Sequence, residues 1–289
     1  MRVAHMALRV TDLDEAVKWF GDVLHLEETH REDGRSYLTC NDRHHELILI
    51  ATSGKPGYDH MALEVGGEAA VDEVVSRCEA VGGKRLGPVE GEVGIAGGVF
   101  VEGPGGHVFK IFHGMERVAA PDPDPTGVRP LRFEHISLKV HTLGPMEKFL
   151  QEGLGFKFSD RLGPMASWWH CEEDHHGIAI QRAPQGNQLH HHAWTQTDLN
   201  AMGATADLLH AIGQTLTWGP GHHGPGDNRF IYFKDPTGAL VECCSGMAQM
   251  GEGSTYEPKK WPFKPISVSL WGGVMPPKFI AAGTPVRRK

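Results

Sequence analysis

The sequence lacks any apolar run of about 18 residues, so nothing in it reads as a membrane-spanning helix. It also lacks a basic cluster. There are 28 Lys and Arg against 36 Asp and Glu, the formal charge is -8, and the basic residues are scattered. That distribution speaks against nucleic acid or an anionic membrane as a partner. The first residues, MRVAHMALRV, have no long apolar core or cleavage site of a secretory leader. No cysteine framework is present either: Cys40, Cys78, Cys171, Cys243 and Cys244 are odd in number and irregular in spacing, as suits a reducing cytoplasm. Cys243 and Cys244 directly follow Glu242 and could act as soft ligands, but such residues more often serve as small buried apolar groups.

What the chain has in quantity is histidine, 19 in all. Histidine is the commonest metal ligand and the side chain best suited to proton transfer near neutrality. A count decides nothing, so position must.

Position is informative because the chain is duplicated. VAHMALRVTDLDEAVKWFGDVLHLEE (3–28) resembles FEHISLKVHTLGPMEKFLQEGLGFKF (133–158), and CNDRHHELILI (40–50) resembles CEEDHHGIAIQ (171–181). DHMALEV (59–65) parallels HHAWTQT (191–197), and FVEGPGGHVFKIF (100–112) parallels YFKDPTGALVECC (232–244). Four motifs recur in order at matched distances: 55 residues separate His5 from His60, 57 separate His135 from His192, and 50 separate His60 from Lys110 and His192 from Glu242. Each half again splits into two similar pieces, a strand, a helix and two or three strands. Apolar spacing predicts helices from Asp12 or Asp14 to about 24, near 69–82, near 144–152 and near 198–212. The expected fold is therefore α+β, with four tandem βαβββ modules forming two similar half-open barrel domains. Their expected limits are 1–118, without metal, and 131–246, catalytic, joined by the Pro- and Asp-rich AAPDPDPTGVRP (119–130). The segment 247–289 is too apolar for a disordered tail and is expected to pack over the surface, at the site opening or an oligomer contact.

In the second half His135, His192 and Glu242 stand at equivalent strand ends. Two imidazoles and one carboxylate on one face leave open positions opposite, the set suited to non-haem Fe(II), with Mn(II) as substitute. Zn(II) accepts the same ligands and would point to hydrolysis or isomerisation. A lone strand His is more often a hydrogen-bonded core or surface residue, so the triad rests on its company. In LHHHAW the register is open: the parallel with DHMALEV selects His192, and His191 is the fallback. Adjacent strand residues point to opposite faces, so both cannot reach the metal. His176, His223 and Tyr232 offer a base, an acid and a hydrogen-bond donor around such a site.

At these residues the chain resembles the type I extradiol dioxygenases of the vicinal oxygen chelate superfamily. The resemblance covers residues 1 to about 245 and is most specific in WGPGHHGPGDNRFIYFKDPTGALVEC (218–243), where nine residues separate His223 from Tyr232 and ten separate Tyr232 from Glu242. It implies a catechol and O2 as substrates, bound at Fe(II). His176, rather than its neighbour His175, would accept a substrate proton, His223 would assist protonation, and Tyr232 would hold a substrate oxygen. It also implies one active and one inactive half. The first half has Lys110 where the second has Glu242, Phe100 where the second has Tyr232, and no His to match His223. Glu46 or Glu102 could rescue a ligand set there, but neither stands at the matching place. A homo-oligomer is expected. The rivals are a glyoxalase-type isomerase or lyase and a metal-free ligand-sequestering protein of the same fold. Met165, Trp168, Trp169 and Trp194 are candidate pocket aromatics and apolar residues, with Trp194 favoured as core.

Overall fold

The computed structural model describes residues 1–287. The first half forms an eight-stranded sheet in the order β2-β3-β4-β1-β5-β8-β7-β6. Its strands are β1 (Arg2–Val10), β2 (Glu27–Glu32), β3 (Arg35–Thr39), β4 (Leu47–Ala51), β5 (Gly57–Glu64), β6 (Lys84–Pro88), β7 (Gly97–Glu102) and β8 (Val108–His113). The second half repeats it with β9 (Arg132–Val140), β10 (Lys157–Leu162), β11 (Ala166–His170), β12 (Ile178–Arg182), β13 (Gln188–Thr195), β14 (Trp218–His222), β15 (Arg229–Lys234) and β16 (Leu240–Ser245). In both, the opening strands of two modules pair antiparallel (β1 with β5, β9 with β13), and each pairs parallel with the last strand of its own module. The four-module expectation is thus met.

Each module's helix follows its first strand. Helix α1 (Leu13–Leu24) starts because the Asp12 carboxylate accepts from the Glu15 N–H, and it buries Ala16, Phe20, Val23 and Leu24, one helical stripe. Helix α2 spans Glu68–Ala80. Helix α3 (Leu143–Lys148) continues as a π-helical turn over Phe149–Leu154, so the segment expected near 144–152 is helical but locally widened. Helix α4 (Leu199–Ala211) is capped by Asp198, which accepts from the N–H groups of Asn200 and Ala201. One large apolar cluster runs through both halves, from Met6 and Phe20 to Phe149, Trp194 and Val241. Among the described residues no helix is long and apolar enough to cross a membrane.

The tail is ordered against the second half. Strand β17 (Lys259–Trp261) extends the sheet beside β10, short helices α5 (Pro265–Val268) and α6 (Pro277–Ala281) follow, and β18 (Thr284–Pro285) pairs with β13. Residues 288 and 289, also assigned to the tail by sequence, lie outside the described residues.

Candidate metal centre and its cavity

Alternation along β9 separates two faces. Ile136, Leu138 and Val140 enter the core, whereas His135, Ser137 and Lys139 line a cavity of about 300 Å3 on the other side. Three ligand-type atoms converge at its floor. His135 Nε2 is 3.3 Å from His191 Nε2 and 3.3 Å from Glu242 Oε2, and His191 Nε2 is 3.2 Å from that same oxygen. All three residues are buried.

The histidine of this group is His191, which corrects the assignment of His192. The reason is register. In β13 a bulge falls between Leu189, opposite Leu138, and His191, opposite Ser137. His190 is the extra residue, and His191 is set on the cavity face two positions along from the partner of His135. His192 pairs with Ile136 and faces the core. There Trp194 Nε1–H donates to its Nδ1 at 2.9 Å, and its Nε2 lies 3.5 Å from Asp235. The first half shows the same relation: His60 opposes Ala7, and Met61 occupies the core position that His192 takes in the second half. One residue of misalignment flips every side chain to the other face.

Each side chain of the group is held from behind. His135 Nδ1 lies 3.0 Å from Glu134 Oε2, and Glu134 also accepts from Thr195 Oγ1 and Cys244 Sγ. Cys244 is thus a donor to the residue supporting His135, and burial and Glu134 push its thiol pKa well up. Glu242 Oε1 accepts from Asn228 Nδ2 at 3.1 Å, leaving Oε2 for the cluster. Burial works against charge on Glu242, but the contact with His135 holds its pKa well below the ordinary carboxylate range. Burial also opposes charge on His135, yet Glu134 and Glu242 outweigh it and raise its pKa to about 9. A floor that stabilises positive charge, with two imidazole nitrogens and a carboxylate oxygen facing one point, fits a divalent metal.

His176, His223 and Tyr232 all line the same cavity. The His176 ring is 4.2 Å from that of His135, centroid to centroid, and burial and His135 hold its pKa well below the usual value. Tyr232 Oη is 3.0 Å from His223 Nε2, and the tyrosine ring stacks on Trp218. Strand pairing places Tyr232 opposite Glu242 as it places Phe100 opposite Lys110. The walls above are apolar: Leu162, Met165 and Trp168 from the sheet, and Phe263, Met275 and Phe279 from the tail. Trp169 and Trp194 are instead core residues.

The first half gathers His5, His45 and Glu92. Glu92, on the loop before β7, was not among the sequence candidates; nothing in the aligned motifs marks it. Glu46, weighed as a rescuing ligand, instead meets Cys40 Sγ and the Phe133 N–H. Lys110 donates to Glu92 in full burial, so that carboxylate is already paired with an ammonium. Ala4 stands where Glu134 supports His135, and neither ring nitrogen of His5 has a hydrogen-bond partner.

The sequence profile of the Glyoxalase/Bleomycin resistance protein/Dioxygenase superfamily matches residues 2–111 and again 132–243. The chain belongs to this superfamily. Within it, the chain is 25% identical over 283 residues to a manganese-dependent 2,3-dihydroxybiphenyl 1,2-dioxygenase of Geobacillus genomosp. 3, covering 90% of this chain and 89% of that one. It is also 25% identical to a metapyrocatechase of Geobacillus stearothermophilus, covering 100% and 94%. Among solved structures, a Mn(II)-bound glyoxalase from Novosphingobium aromaticivorans superposes with a TM-score of 0.88 at 28% identity, covering 96% of this chain and 92% of that one. Homoprotocatechuate 2,3-dioxygenase from Arthrobacter globiformis gives 0.90 at 24% identity, covering 100% and 92%, a likeness of fold.

Proposed function

We propose that the protein is an extradiol ring-cleaving dioxygenase. It takes a catechol-type aromatic and O2 to a ring-opened semialdehyde or keto acid. The observation that carries this reading is the meeting of His135 Nε2, His191 Nε2 and Glu242 Oε2 at 3.2–3.3 Å beneath a cavity that His176, His223 and Tyr232 also line. His135, His191 and Glu242 would hold Fe(II), or Mn(II) as in the manganese-dependent relative. When bound, the metal supplies the joint activation of dioxygen and a chelated substrate.

The chain's own residues orient the ring and handle its protons. His176, held neutral by burial and by His135 and lying beside the ligand set, has a lone pair free to accept the proton of a substrate hydroxyl. Tyr232 hydrogen-bonds a substrate oxygen, and His223 Nε2, 3.0 Å from that phenol, exchanges a proton on the same side. Aromatic and aliphatic walls exclude water. Of the basic side chains at the cavity, Lys139 already donates to the carbonyls of Ile280 and Ala282, and Arg182 is exposed. A ring with a neutral, apolar substituent suits this lining better than one bearing a carboxylate.

The likeness to a Mn(II)-bound glyoxalase favours a second reading, an isomerase. The present cluster has one carboxylate, where that chemistry usually wants two, and the reading leaves His223 and Tyr232 without a task. The test is metal-loaded protein offered a catechol panel with O2 and, separately, a hemithioacetal. Ring-opened product supports the proposal, and isomerised thioester without ring cleavage refutes it.

The ammonium of Lys110 argues for one metal per chain, held in the second half. The exposed tail side chains Ile266, Trp271 and Val274 support self-association, to be checked by sedimentation against the 31.7 kDa chain. All five cysteines are free, which supports a cytoplasmic location.

A further inference from the structure

The C-terminal tail does more than roof the cavity. Three of its contacts end on histidines of the site or on their immediate supports, and the chemistry of each contact fixes where a proton must sit. His223 Nδ1 lies 2.7 Å from the Val268 carbonyl oxygen. A carbonyl only accepts, so Nδ1 carries the hydrogen, and in the neutral ring Nε2 is the lone pair facing Tyr232. His190 Nε2 lies 3.0 Å from the Phe279 carbonyl oxygen, so it donates there, and its Nδ1 becomes the acceptor. That Nδ1 is 2.8 Å from His191 Nδ1, which must then be the N–H, leaving the His191 Nε2 lone pair aimed at the ligand cluster.

The third contact runs through Asp160. This buried carboxylate accepts from Tyr256 Oη and Trp261 Nε1 at 2.7 Å each and from the Lys259 N–H at 2.6 Å, all tail groups. Its Oδ2 also faces His175 Nε2 at 3.3 Å. The approach is too bent for a hydrogen bond, but the negative charge of the carboxylate favours the hydrogen on Nε2 of His175 over Nδ1. Its Nδ1, 3.0 Å from His176 Nδ1, is then the acceptor, and the His176 lone pair falls on Nε2. Adjacent-histidine pairs thus act twice as relays between the tail and a working imidazole.

We propose that the tail is a tautomer-setting strap: through the Val268 and Phe279 carbonyls and through Asp160 it decides which nitrogen of His223, His191 and His176 presents its lone pair to the cavity. Asp160, His175 and His190 are positioning residues acting through their neighbours. The functional weight of this inference rests on the dioxygenase reading, but the tautomers themselves do not.

The test therefore reads tautomers directly. Long-range 1H–15N correlation spectra of the full chain labelled with 15N-histidine, assigned through single-histidine variants, distinguish Nδ1–H from Nε2–H rings. The expected pattern is Nδ1–H for His176, His191 and His223 and Nε2–H for His175 and His190. Asp160→Leu removes the carboxylate that faces His175 and should release the pair, admitting Nε2–H at His176. Alongside this, kcat/KM should fall on the order of 10²–10⁴-fold while metal content stays unchanged, the scale known for lost outer-shell partners and wrong tautomers. Tyr256→Phe combined with Trp261→Phe should give a partial version of both effects. Nε2–H at His223 or Nδ1–H at His190 in the wild type would overturn the proposal. So would an Asp160→Leu protein that loses melting temperature but keeps the His176 tautomer. If the tautomers match and no catechol is cleaved, the dioxygenase reading fails and the strap stands.

Discussion

Replacing His191 and His192 separately should produce opposite defects. His192 has its ring in the core, where its Nδ1 is the acceptor for Trp194 Nε1–H. His192→Leu keeps most of the volume but orphans that buried N–H, at a cost of about 1–3 kcal/mol. For a chain of this size each kcal/mol shifts the melting temperature by about 2–4 °C, so a loss of about 2–12 °C is expected. Metal content should stay at one ion per chain, because the His192 ring is on the far face of β13. His191→Ala does the reverse. Its ring faces the cavity, so the metal-free protein should melt close to wild type. Metal affinity should fall by more than the 10–100-fold typical of losing an outer-shell partner. The assays are elemental analysis after anaerobic loading and desalting, and thermal melting of the metal-free proteins. A His192→Leu protein that cannot hold metal, beside a His191→Ala protein that can, would refute the register argument.

Tyr232→Phe removes one hydrogen bond of about 1.5–3 kcal/mol to a charged partner, so kcat should drop about 10- to 100-fold with metal retained; an unchanged kcat would exclude Tyr232 from the reaction. Lys110→Ala should leave metal content at one ion per chain, and loss of that ion would place the binding site in the wrong half. His107 is buried with its Nε2 on the Lys139 carbonyl, and burial lowers its pKa from 6.5 to about 4. Between those values the unfolded chain binds more protons, so the contribution is complete above about pH 6.5 and is lost as the pH falls toward 4, by about 3 kcal/mol. Denaturant unfolding of wild type against His107→Gln should show that difference opening over this window, and parallel curves would contradict it.

The repeat made the architecture legible, because four copies of one strand–helix–strand pattern leave few alternatives. It also brought out His135, Glu242 and His176, while the family resemblance singled out His223 and Tyr232, and the structure gathers all five around one cavity. The His191/His192 choice was not legible, because three consecutive histidines let the motifs align one residue out: β5 and β13 carry the same bulge, at Asp59 and His190, so DHMALEV matches HHHAWTQ (190–196). The tail's part was hidden for a different reason. It works mainly through backbone carbonyls, at Val268, Phe279, Ile280 and Ala282, and carbonyls leave no mark in side-chain identity. One signal was available: the doublets His175-His176 and His190-His191, in which the first residue supports the second.

The central claim is ring cleavage by a metal held on His135, His191 and Glu242. It is tested most directly by single turnover under 18O2. Protein loaded anaerobically with Fe(II) or Mn(II) is given a catechol carrying an apolar substituent, exposed to 18O2, and the product is weighed by mass spectrometry. A yellow ring-opened product carrying both labelled atoms is expected, and none from His191→Ala. An unopened ring across a broad catechol panel, with metal demonstrably bound, would contradict it.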